Sequence, residues 1–152
     1  MRWFVLLCAM VQPVLADEDI ADQYPASALY SKPVEGIPYV WSAIGATAPP
    51  TYENTGHNNN LSFIVTGDGV IVINGGAAYV LAEALHAEIK AITDQPVKLV
   101  IDENGQGHAM LGNSYWAEQG VPILAHVDAA HEFEERGNRI LEGMKRYNLD
   151  KA

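Results

Sequence analysis

Two apolar, β-branched runs joined by a tight turn constrain this chain more than any other stretch: Leu61–Val65, then Gly67-Asp68-Gly69, then Val70–Ile73. An Asp-Gly pair between such runs is the strongest short-range signal for a β-hairpin. The second run is apolar at four consecutive positions, the pattern of a strand covered on both faces and lying in the middle of a sheet. After Asn74-Gly75-Gly76, apolar residues at Ala78, Leu81, Ala82, Leu85, Ile89 and Ile92 trace one face of a helix that Asp94 and Pro96 end. "VKLVI" then reads as a strand, "MLGNSYWAEQG" as a short helix stopped by Gly120, "VPILA" as a strand, and Ala129–Tyr147 as a helix with Phe133, Ile140, Leu141 and Met144 on one face. Upstream, "YVWSAIG" reads as a further strand, closed by Gly45 and Pro49-Pro50. A hairpin entering an alternating β/α run predicts an α/β (α+β) fold, a mixed sheet with helices packed on it.

In such sheets, ligands bind beyond the carboxyl ends of the strands. Three polar clusters fall there: Asn74, the loop "ENGQGH" from Glu103 to His108, and His126. A loop that only reverses direction needs a glycine or an Asn/Asp, not Asn104, Gln106 and His108 alternating with Gly105 and Gly107. The loop therefore reads as a site. His57 in "TGHNNN" and His126 are each either ligand contacts or a loop residue and a cap, respectively. His86 and His131 fall among polar neighbours on helices and read as surface residues. Asn58, Asn59 and Asn60 suit a turn, as Gly75-Gly76 suits a strand-to-helix turn.

The first sixteen residues stand apart. "MRWFVLLCAMVQPVLA" has one basic residue, an apolar run too short to span a bilayer, and a small-residue end before the acidic "DEDIADQ". That layout predicts a secretory signal peptide over 1–16, cleaved after Ala16, followed by an extended lead-in over 17–36 and one domain over 37–152. Cleavage would take Cys8, the only cysteine, so the exported form, periplasmic or secreted, would hold no disulfide, thiolate metal site or cysteine nucleophile. A net charge of −10 repels polyanions, so nucleic acid is a poor partner, as is an anionic membrane once the signal is gone. The chain has no G-x-S-x-G elbow, phosphate-binding P-loop, G-x-G-x-x-G or H-E-x-x-H.

The succession from "NNNLSFIVTGDGVIVINGG" through "QPVKLVIDENGQGHAMLGNSYWAEQG" to "VPILAH" resembles the N-terminal half of the metallo-β-lactamase fold superfamily, over roughly Tyr39 to His126. That family has an Asn before a strand, matched by Asn60. It follows with an Asp-Gly turn, a strand ending in Asp-x-Gly, a helix, a strand, the signature T-H-x-H-x-D-H, then Gly-Asn. The resemblance implies a zinc-dependent hydrolase built from two αβ halves in an αβ/βα sandwich. In it a metal-bound hydroxide attacks a carbonyl or ester-like bond of a small-molecule substrate.

The departures fall on the chemistry. Aligning Gly112-Asn113 with the family's Gly-Asn puts Glu103 on the Thr, Asn104 and Gln106 on the first two His, His108 on the Asp and Ala109 on the last His. Asn74 stands for the Asp of Asp-x-Gly. Amides are weak neutral donors, so the ligands zinc favours are missing from the register. Two readings follow from the resemblance. Either His108 binds metal in a divergent hydrolase, aided by Glu103 or Asp102, or zinc is lost and the pocket serves a non-catalytic ligand-binding or protein-interaction module. Half a sandwich also leaves an apolar sheet face open. The resemblance thus implies a homodimer, a second chain completing the fold, or a truncated product.

Overall fold

The computed structural model describes residues 28–151, so the expected signal segment and residues 17–27 lie outside it. Six strands form one sheet in chain order: β1 (Val34–Ile37), β2 (Val40–Ala43), β3 (Leu61–Val65), β4 (Val70–Ile73), β5 (Val97–Asp102) and β6 (Ile123–Ala125). Strands β1 to β4 pair antiparallel and β4 to β6 pair parallel. The helices are α1 (Tyr79–Ile92), α2 (Gly107–Met110), α3 (Asn113–Glu118) and α4 (Val127–Asn148). The mixed sheet with packed helices is therefore the predicted class.

The hairpin forms where its turn chemistry places it. Thr66 closes the β3–β4 turn with its amide and hydroxyl both donating to the Gly69 carbonyl, at 2.8 and 2.7 Å. β1 begins inside the stretch expected as an extended lead-in, taking Val34, Glu35 and Gly36 from it, and forms an edge strand that the sequence does not announce. Four residues containing a glycine, all exposed, carry no alternation to detect.

One face of the sheet holds the core. Leu61, Phe63, Val70, Val72 and Val100 are fully buried, with Leu81, Leu85, Ile89 of α1 and Trp116 of α3 in the same cluster. Trp41 stacks on Phe63 at 6.1 Å. On the opposite face the register aligns Val40, Ile64, Ile71 and Leu99 in one row, and Ser42, Ser62, Ile73, Ile101 and Leu124 in a second. These residues are half-buried or exposed and lie outside the core cluster. β4 is central, as its pattern predicts, but within the described residues it is covered on one face only, which corrects the expectation of two.

His86 is a second correction. It is buried in α1 beside Trp116, ring centroids 5.2 Å apart, with Nδ1 2.8 Å from the Tyr115 hydroxyl. The aromatic pair of α3 widens the covered stripe of α1 beyond its apolar residues. Burial, with repulsion from Lys90 adding to it, pushes the imidazole down to about 4. His131 lies exposed on α4, where the sequence places it.

Candidate functional site

The carboxyl ends of β4, β5 and β6 bring Asn74, the Glu103–His108 loop and His126 to one edge. The anchor is Asp102, the last residue of β5, whose side chain turns inward and is only 3% exposed. Its Oδ1 accepts from the Gly75 amide at 2.9 Å and its Oδ2 from Asn113 Nδ2 at 2.7 Å. Burial raises its carboxyl above the usual range, and these two hydrogen bonds oppose the rise. Trp116 completes the clasp, its Nε1 donating to the Gly75 carbonyl at 3.0 Å. The turn after β4 is thereby fastened to both β5 and α3.

Asn74 sits in the left-handed region at φ 69°, a conformation asparagine tolerates better than most residues. Its Oδ1 accepts from the Glu103 amide at 3.1 Å, and its Nδ2 reaches toward the Asn60 carbonyl at 3.5 Å. Asn60 also turns its Oδ1 to the Gly45 amide at 3.3 Å. Beyond Glu103, the Asn104 Oδ1 accepts from the Gln106 amide at 2.9 Å, which holds the loop in a local turn. Asn104 Nδ2 lies 3.4 Å from Glu103 Oε1 and 3.5 Å from His108 Nε2. Both distances are at the outer limit for hydrogen bonds, so the outward side chains are weakly constrained. His108 is half-buried, and burial lowers its pKa while the Glu103 carboxylate opposes.

The two glycines of the loop have a packing reason. A Cβ on Gly105 would lie 2.6 Å from the Ala129 carbonyl, and one on Gly107 would lie 2.6 Å from Ile140 Cγ2. Both neighbours belong to α4, which runs along the carboxyl edge and inserts Met144 beside Gly56 at its far end. The glycines let that helix close on the loop. Gln106, between them, stays exposed.

The structure thus connects Asn60, Asn74, Glu103, Asn104, Gln106 and His108 in one chain of contacts. The two other histidines have structural duties. His57 is fully buried: its Nδ1 accepts from the Tyr30 amide at 3.0 Å, which leaves Nε2 to donate to the Ala43 carbonyl at 3.3 Å. Burial lowers its pKa, so it stays neutral and joins the segment before β1 to β2. His126 caps α4, accepting from the Asp128 amide at 3.2 Å, with its side chain largely in solvent. The inward role of Asp102 and Asn113 was the element least visible in the sequence. Asn113 appears there only as half of a Gly-Asn pair, and Asp102 only as an aid to metal binding.

Zinc in a catalytic site normally takes three protein ligands of imidazole, thiolate or carboxylate type. The donors here do not fit that set. The amides of Asn74, Asn104 and Gln106 are weak ligands and Asp102 is committed inward to two donors, which leaves one carboxylate, Glu103, and one imidazole, His108, in the cluster. Among the described residues no group of three His, Cys, Asp or Glu side chains is arranged to hold a metal ion.

No family model matches the sequence, and no curated protein does. Solved structures do. A metallo-β-lactamase from Pontibacter korlensis superposes with a TM-score of 0.60 at 23% identity, over 70% of this chain and 48% of its own. A metallo-β-lactamase from Erythrobacter litoralis, solved with β-mercaptoethanol in the active site, gives 0.57 at 17% identity, over 69% and 45%. The metallo-β-lactamase FIM-1 from Pseudomonas aeruginosa, in a mono-zinc form, gives 0.59 at 13% identity, over 75% and 50%. The chain spans about half the length of the structures it matches. Its fold is part of a metallo-β-lactamase fold.

Proposed function

We propose that this chain is an exported protein that keeps the hydrolase-like frame of the metallo-β-lactamase fold but has replaced the metal site by an amide-lined edge that binds a small polar molecule. The observation that carries the reading is the commitment of Asp102. Its two oxygens serve the Gly75 amide and Asn113, while the loop beyond it turns outward two amides, one imidazole and the single carboxylate of Glu103. Amides donate and accept at once, which suits hydroxyls, amides and carbonyls of an uncharged ligand. The signal-like segment over 1–16 supports export, and among the described residues no helix is long and apolar enough to cross a membrane.

Elemental analysis of the purified chain after zinc loading and desalting tests the proposal. Well below one zinc per chain is expected, with no change in His108→Ala. Shifts at Asn104, Gln106 and His108 on titration with small polyols or amides, persisting with a chelator present, are the positive counterpart. The Glu103 carboxylate acting on His108 favours a second reading, a divergent metal hydrolase with His108 as ligand. One zinc per chain, lost in His108→Ala, would establish that reading and overturn the first.

A further inference from the structure

Asparagine followed by glycine is among the least durable pairs in a protein chain, because a glycine amide has no neighbouring Cβ to keep it away from the side chain before it. The step is an internal displacement. The glycine nitrogen loses its proton and bonds to the asparagine Cγ, the Cγ–Nδ2 bond breaks, ammonia leaves and a cyclic imide remains. Water then opens either carbonyl of the ring, giving aspartate or its β-linked isomer. The chain has two such pairs, Asn74-Gly75 and Asn104-Gly105, and both lie at the candidate edge. The fold treats them in opposite ways. The Gly75 nitrogen is engaged, donating to Asp102 Oδ1 at 2.9 Å. Asn74 is buried, its Oδ1 held by the Glu103 amide and its Nδ2 turned to the Asn60 carbonyl.

At Asn104 the same atoms are free to meet. Asn104 is half-buried between the exposed Glu103 and Gln106 and belongs to no helix or strand. The Gly105 amide makes no hydrogen bond among the described residues, so no partner competes for its nitrogen. The Asn104 Oδ1 accepts from the Gln106 amide at 2.9 Å, a contact that spans Gly105 and folds the side chain back along its peptide. That donor also sits where negative charge develops on Oδ1 as the nitrogen attacks. The departing Nδ2 has only outer-limit contacts, 3.4 Å to Glu103 Oε1 and 3.5 Å to His108 Nε2. The tight spot at Gly105, where a Cβ would meet the Ala129 carbonyl, is on the α-carbon, which ring closure leaves bonded as before. We infer that Asn104 is a site of spontaneous, water-completed deamidation, and that the fold keeps Asn74 intact. The product turns a side chain that donates and accepts into an acceptor-only carboxylate beside Glu103, so the edge gains charge as the protein ages. This inference is independent of what that edge binds.

Peptide mapping by mass spectrometry of the purified full chain, aged for days in weakly alkaline buffer with and without urea, tests it. Trypsin, cutting at Lys90 and Lys98, puts the two asparagines on separate peptides. In the folded protein the Asn104 peptide should gain the mass of an amide-to-acid exchange, as two chromatographic products, at least about tenfold faster than the Asn74 peptide, which has to wait for local opening. In urea the two rates should converge, because only the fold tells the pairs apart. Isoelectric focusing gives a second readout: the acidic band that grows in aged wild type should be missing from aged Asn104→Gln, whose longer side chain closes a ring far more slowly. An Asn104 peptide that keeps its mass in the folded protein, equal rates for both pairs there, rates that stay apart in urea, or an acidic band that persists in Asn104→Gln would overturn the inference.

Discussion

Asp102 and His86 are both buried ionisable side chains, and their surroundings set opposite demands. Removing the Asp102 side chain leaves the Gly75 amide and Asn113 Nδ2 unpartnered in the interior, so Asp102→Ala should cost about 3 kcal/mol in urea unfolding. Asp102→Asn keeps an acceptor for Gly75 and removes the buried charge. Turned over, Asn113 can offer it the Oδ1 that has no partner in the wild type. That variant should lie within about 1 kcal/mol of wild type. His86 is held neutral in the fold at about 4, below its ordinary value of 6.5. As pH falls through that window the unfolded chain takes a proton that the folded chain refuses, so stability drops, by roughly 3 kcal/mol in full. Asp102, with its pKa raised, acts in the opposite sense, since the folded state gains as its carboxyl protonates. Comparing the pH slopes of wild type and His86→Phe isolates the histidine: the variant should decline less steeply between 6.5 and 4, keeping only the part owed to His57 and His108.

At the level of elements, the hairpin, α1, β5 and α4 were legible because each carries a strong local signal: an Asp-Gly turn, a helical stripe, an apolar run, an amphipathic face. Two elements were not. β1 has no alternation to read, and the stretch expected as one helix from Met110 to Gly120 is split into α2 and α3 around Gly112. That glycine is a contact point. A Cβ there would strike the Gly75 carbonyl and come within 3.0 Å of the Ala78 carbonyl, both backbone atoms with no rotamer to yield. Gly112→Ala should therefore destabilise the protein by about 2–3 kcal/mol, measurable as a lower denaturation midpoint with an unchanged slope. The candidate loop was legible as polar and site-like, yet two of its six residues, and the Asp102 that precedes it, answer to packing. Gly105 and Gly107 exist for α4, and Asp102 exists for the turn after β4, and neither long-range contact leaves a mark in the local sequence.

For the whole molecule, charge and hydrophobicity are segregated. The acids Glu132, Glu134, Glu135 and Glu142 belong to α4, whereas the two apolar rows of the sheet hold no charged residue. The strand order carries a different consequence, for the way the molecule comes into being. Every strand bonds only to its predecessor and its successor in the chain. The sheet can therefore grow by addition at one side while later segments are still arriving, and no early strand has to wait, exposed, for a late one to be inserted beside it.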